Sequence, residues 1–82
     1  MNHVIYAFDK KTEELNFEVP IPAVHIDQLR KIMAWTEAED EIYCYDLDDR
    51  QIDELETLLN HTFRDPYCDL QLGSYRDDSP AT

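Results

Sequence analysis

The sequence predicts an α+β domain: a small, mostly antiparallel sheet, made of an N-terminal hairpin and a C-terminal strand, covered on one face by two amphipathic helices. Three observations carry this. Apolar residues alternate with period two near both ends of the chain, which is strand behaviour. Between those ends, Ile26, Leu29, Ile32 and Met33 share a helical spacing that recurs in Ile52, Leu55, Leu58 and Leu59. With 82 residues there is material for one domain with a modest core, so both helices are expected to share one sheet. The flanks of the two helical segments do not match, so they are not read as an internal repeat.

The elements follow in chain order. In residues 3–19, Val4, Tyr6 and Phe8 alternate with His3, Ile5 and Ala7. Beyond the polar turn Asp9 to Glu14, Leu15, Phe17 and Val19 alternate with Asn16 and Glu18. A simple hairpin register pairs Phe8 with Leu15, Tyr6 with Phe17 and Val4 with Val19, and so places these six side chains on one face. Ile5 and Ala7 make the other face of the first strand apolar too, which predicts a central first strand and an edge second strand. Pro20 and Pro22 are expected to end the second strand, because proline cannot donate to a ladder.

Helix one is predicted over Ile26 to Trp35, with Asp27 suited to the positive end of its dipole. Trp35 points about 100° or more from the centre of the apolar stripe, at the edge of the core or in solvent. Glu37 to Glu41 reads as a loop and Ile42 to Asp46 as a short extended stretch. Helix two starts at Asp48, the expected N-cap, with Gln51 completing a capping box and Leu47 and Ile52 forming a hydrophobic staple. It ends at Asn60 and His61. Asp65-Pro66 marks a turn, and Cys68, Leu70 and Leu72 alternate with Asp69, Gln71 and Gly73 in a further strand. Gly73, the one glycine, is read as a bulge or the strand's end. Residues 1–76 read as a single domain and 77–82 as a flexible polar tail.

Charge is the most uneven property of the chain. Thr36 to Glu56 holds ten carboxylates against Arg50 alone, giving −9 of the total −12. Such a bias speaks to partners: it repels nucleic acid and anionic membrane surfaces and attracts basic proteins. First-turn acids favour the helix dipole, which accounts for Asp48, Asp49 and Asp53. It does not account for Glu37, Glu39, Asp40, Glu41 or Glu56. Trp35, Tyr43 and Tyr45 flank or interrupt the run, and interfaces favour such residues at their energetic centres. In the alternative reading Ile42 and Cys44 face inward and the tyrosines cover a sheet edge. The candidate partner-binding residues are therefore Trp35, Glu37, Glu39, Asp40, Glu41, Tyr43, Tyr45, Asp46, Asp48, Asp49, Asp53 and Glu56.

Other chemistries fit less well. A calcium loop starting at Asp46 would put Arg50 at a ligand position, Gln51 where glycine turns the loop, and Thr57 in place of the closing glutamate. Zinc lacks its usual Cys and His spacings, so no metal or other cofactor is expected. No phosphate loop or nucleophile elbow is present, and solvated carboxylates lack the raised pKa that acid–base catalysis needs. The chain is read as a non-enzyme, with a thiol enzyme using Cys44 or Cys68 as a remote alternative. Neither a signal peptide nor a membrane-spanning run is evident, so a cytoplasmic location with both cysteines reduced is expected.

The stretch AFDKKTEELNFEVPIP running into IDQLRKI, within a small and strongly acidic chain, resembles small immunity proteins of bacterial polymorphic toxin systems, most of all the CdiI type of contact-dependent growth inhibition. The likeness spans Val4 to Met33, with an echo in the second helix. It implies a cytosolic protein that binds the C-terminal toxin domain of a CdiA-like effector, as a monomer in a 1:1 complex. The toxin would be a nuclease, with an RNase of the EndoU type as the leading candidate, its basic cleft covered by acidic charge. There is no direct contact with nucleic acid or membrane in this reading. The competing expectation is an acidic nucleic-acid mimic or adaptor that binds a basic housekeeping protein.

Overall fold

The computed structural model describes residues 2–75, apart from the side chain of Ala38. The final residues, including the predicted tail, lie outside the described part. Four strands, β1 (Asn2–Asp9), β2 (Leu15–Ile21), β3 (Tyr45–Asp46) and β4 (Cys68–Tyr75), form one antiparallel sheet in the order β2-β1-β4-β3. Helices α1 (Ile26–Met33) and α2 (Asp49–Leu59) cover one face, as expected for the α+β class. The first strand is central and β2 lies at an edge.

The hairpin is held at its turn by Asp9. Its carboxylate accepts the backbone N–H of Lys11 at 2.7 Å and of Thr12 at 2.9 Å, while Glu13 takes a left-handed φ of 62°. Phe8 pairs with Leu15 as predicted, but Ala7 then pairs with Phe17, leaving Asn16 as the extra residue of a bulge. From there on the register is one residue away from the simple one: Ile5 faces Val19 and His3 faces Ile21. A one-residue slip exchanges the two faces of a strand. The slip brings Val19 and Ile21 to the helix-facing side, which on β1 is His3, Ile5 and Ala7, set by pairing with Leu72 and Leu70 of β4; Val4, Tyr6 and Phe8 lie on the opposite face. Because both faces of β1 are apolar, alternation alone could not choose between them. The second strand also runs past Pro20 to Ile21, which an edge strand tolerates because the missing N–H would face outward.

The core is the layer between sheet and helices: Ile5, Ala7, Val19 and Ile21 from the hairpin, Leu29 and Ile32 from α1, Ile52 and Leu55 from α2, and Cys68, Leu70 and Leu72 from β4. Phe63, in the connection after α2, is buried with them. Helix two begins as its sequence dictates. Asp48 accepts the Gln51 N–H at 2.8 Å and the Gln51 side chain accepts the Asp48 N–H at 3.0 Å. The turn at Asp65 is likewise as expected, with the Tyr67 N–H bonded to its carboxylate at 2.8 Å.

Helix one stops at Met33, two residues short of the predicted end. Ala34 adopts the left-handed conformation at φ 57°, ψ 38°, and Asn60 does the same after α2. Glycine is the usual residue there, and its absence hid the first of these ends. The one glycine, Gly73, instead lies inside β4. A Cβ there would meet the Tyr6 ring at 2.6 Å, so the position serves close approach and not a bulge or strand end.

Two stability outcomes follow. Leu55→Ala, at a fully buried position, should lower stability by about 2–5 kcal/mol in denaturant unfolding. Ala34→Gly should raise it by about 0.5–1 kcal/mol, since relief of left-handed strain outweighs the added unfolded-state entropy.

Candidate functional site

The residues between the helices do more than carry charge. Ala38–Ile42 forms a 3-10 turn where a loop was predicted. Asp40 organises it by accepting the backbone N–H groups of Thr36 and Glu37, both at 3.0 Å. Glu41 points back to the main body. One of its oxygens takes two N–H bonds from Arg30 at 3.3 and 3.0 Å, and the other lies 3.2 Å from Nε2 of the buried His3. Burial pushes the Glu41 pKa up, but the hydrogen bonds and positive charge of Arg30 and His3 outweigh it, and the net shift is downward.

An aromatic run extends this anchor. His3 stacks near Trp35, with ring centres 5.4 Å apart, and Trp35 near Tyr45 at 5.7 Å. The Tyr45 hydroxyl donates to the Asp40 carbonyl at 2.7 Å. Burial, and then the Asp40 carboxylate, raise the Tyr45 pKa. Trp35 is half-buried against the core, and its indole N–H finds no acceptor among the described residues. Of the three candidate aromatic anchors, only Tyr43 is well exposed, at 57%. The sheet-edge alternative, with Ile42 and Cys44 inward and both tyrosines outward, matches only at Tyr43: Ile42 and Cys44 are exposed and Tyr45 is half-buried.

On α2 the acids are similarly occupied. Glu56 accepts the backbone N–H groups of Phe63 and Arg64, both at 2.9 Å, and so fixes the connection that delivers Phe63 to the core. Arg64 folds back over the helix, reaching Asp53 at 2.5 Å, the Asp49 carbonyl at 3.0 Å and the Asp49 carboxylate at 3.6 Å. Arg50 pairs with Glu54 one turn on. Asp48 is the N-cap already described. Of the twelve candidate residues, Glu39, Tyr43 and Asp46 are exposed with no side-chain hydrogen bond or ion pair among the described residues, and Glu37 is exposed while closing a capping box with Asp40. They lie within one ten-residue stretch ending at β3.

Three features of this site had no signal in the sequence. His3 and Arg30 meet Glu41 across 38 and 11 residues, and Arg64 meets Asp53 across 11. Only the fold reveals such pairings. Among the described residues no group of three or more His, Cys, Asp or Glu side chains is placed to hold a metal ion, and no helix is long and apolar enough to cross a membrane. Cys68 is buried beside the Asn16 side chain, while Cys44 is an exposed free thiol.

The Glu41 anchor has a definite pH signature. Its folded pKa lies below the unfolded value of about 4.3, so its contribution is complete above that pH and is lost as pH falls through the folded value. Glu41→Gln should therefore destabilise the protein at pH 7 and flatten the acid limb of its stability profile, as read by thermal melts from pH 7 down to 3.

No curated protein matches the chain significantly. One family model, described as a domain of unknown function (DUF7683), matches residues 2–73, which takes in all four strands but the end of β4, both helices and the acidic connection. The chain belongs to this DUF7683 family.

Proposed function

We propose that the chain is a binding protein for a basic protein partner, and specifically a cytosolic immunity protein that neutralises a CdiA-type toxin domain with nuclease activity. The observation that carries this reading is the surplus of charge left once the fold's own needs are met. Glu37, Glu39 and Asp46 flank in sequence Ile42 and Tyr43, which are 55% and 57% exposed. Uncompensated carboxylates around exposed apolar side chains suit an interface with an apolar centre and a charged rim. The likeness of Val4 to Met33 to CdiI-type proteins adds the toxin to this picture.

The physics of such a complex is direct. A nuclease cleft is basic because it holds a polyanion, so an acidic protein competes for it by charge. Attraction at low salt can raise association to about 10⁸–10⁹ M⁻¹s⁻¹, and affinity then depends on a few desolvated anchors within an interface of about 1,600 Å². Tyr43 is the exposed anchor, while Tyr45 and Trp35, in contact with each other, are half-buried beside the core.

The test is co-expression with the basic C-terminal domain of the large secreted protein encoded beside this gene. Cells should survive that domain only when the chain is present, and the two purified proteins should bind at low salt. The double variant Glu37→Lys/Glu39→Lys should slow association by about tenfold with little change in dissociation, as measured by stopped flow. Absence of such a neighbour, with capture of a basic housekeeping protein instead, would favour the adaptor reading and overturn the immunity one.

A further inference from the structure

The face of the sheet turned away from the helices carries no helix among the described residues; Val4 is buried on it, and Tyr6 and Phe8 are half-buried. Val4, Tyr6 and Phe8 run along its middle, and Leu15, Glu18 and Pro20 flank them on β2. Asp69, Gln71, Gly73 and Tyr75 flank them on β4. Two grooves cross this face. One, of about 470 Å³, is lined by Val4, Tyr6, Glu18, Pro20 and Tyr75 and holds a carboxylate and no basic group among the described residues. The other, of about 400 Å³, is lined by Phe8, Asp9, Lys10, Glu13, Asp69 and Gln71, with three carboxylates against one lysine. The Tyr6 and Phe8 rings, 6.1 Å apart, form their floors.

We propose that this outer face is a docking surface for an arginine-bearing extended segment of a basic protein, with one guanidinium in each groove. The inference rests on the reading of the chain as a binder of a basic partner and adds a second contact surface to the acidic edge at residues 37–46.

Chemistry favours arginine over other occupants. A guanidinium stacks flat on an aromatic ring and donates to a carboxylate at the same time, and each groove offers both. Gly73 lets the Tyr6 ring lie close against β4, because a side chain there would collide with it. Burial and then the Glu18 carboxylate raise the Tyr6 pKa, so that negative charge stands close to the ring. Tyr6 and Phe8 are two residues apart on one strand, the spacing at which alternate side chains of an extended partner also recur. A second copy of the chain fits poorly, since it would bring the same carboxylates face to face in a molecule of net charge −12.

The experiment titrates the isotope-labelled protein with the capped peptide Arg-Thr-Arg-Thr-Arg and with its lysine counterpart, following backbone amide shifts. Shifts should centre on Val4, Tyr6, Phe8, Glu18 and Tyr75, and the arginine peptide should bind several-fold more tightly. Glu18→Lys, or Glu18→Gln should the first variant fold poorly, should weaken binding by about tenfold or about threefold respectively. Asp27→Asn, at an exposed position of α1 on the other side of the sheet, should leave it within about twofold. Shifts confined to residues 37–46, or equal affinity for the two peptides, would overturn the outer-face assignment while leaving the basic-partner reading intact. No binding of either peptide at low salt would overturn both, and self-association through the outer face at rising protein concentration would replace the arginine segment with a second copy.

Discussion

The extra residue at Asn16 brings Val19 and Ile21 of β2 onto the side of the sheet that β1 and β4 already share, and the core closes over all three strands because of it. With the bulge, Ile5 and Ala7 lie under Leu29 and Leu55, and β2 contributes Val19 and Ile21 to the same layer. Ala7 has no bulk to hold the helices away, so they pack close to the centre of the sheet. The larger side chains of the strand are then exported to the outer face. Without the bulge, Phe17, Val19 and Ile21 would turn away from the helices, while the pairing of Ile5 with Leu72 and Ala7 with Leu70 would still hold β1 in place.

The acidic stretch divides along the same physical line. Asp40, Glu41, Asp48 and Glu56 each accept hydrogen bonds that backbone or buried groups would otherwise lack, and these contacts tie the inter-helix connection and the segment after α2 to the main body. Asp49 and Asp53 share Arg64, in contacts too exposed to add much stability. What remains outward, Glu39 and Asp46, with Glu37 at the capped start of the inter-helix turn, joins Asp27, Glu18 and Asp69 in keeping the surface strongly negative.

The legible parts of the sequence were those governed by local chemistry. The Asp48 and Gln51 capping box, the Asp65 turn and the alternation of Cys68, Leu70 and Leu72 all act within a few residues, so their spacing is enough to read them. The face of β1 was not legible, because Val4, Tyr6 and Phe8 compete with Ile5 and Ala7 on equal hydrophobic terms and a bulge leaves no mark in Asn16 itself. The end of α1 was hidden by an alanine in a glycine's conformation. Glu56 looked surplus because the N–H groups it satisfies come from a connection with no pattern of its own. Charge could be summed from the sequence, but its internal use depended on Arg30 and Arg64 arriving from a distance.

The two cysteines stand in unequal positions, and this gives the molecule a built-in reporter. Cys68 is sealed in the core beside Asn16, whereas Cys44 is exposed at the β3 edge, with its sulfur near the Gly73 and Tyr6 contact. A thiol-directed dye at neutral pH would reach the first only after unfolding and the second at once. Single-site labelling is therefore possible on the natural sequence, and the dye would stand between the outer face and the acidic edge, where its emission would sense occupancy of either.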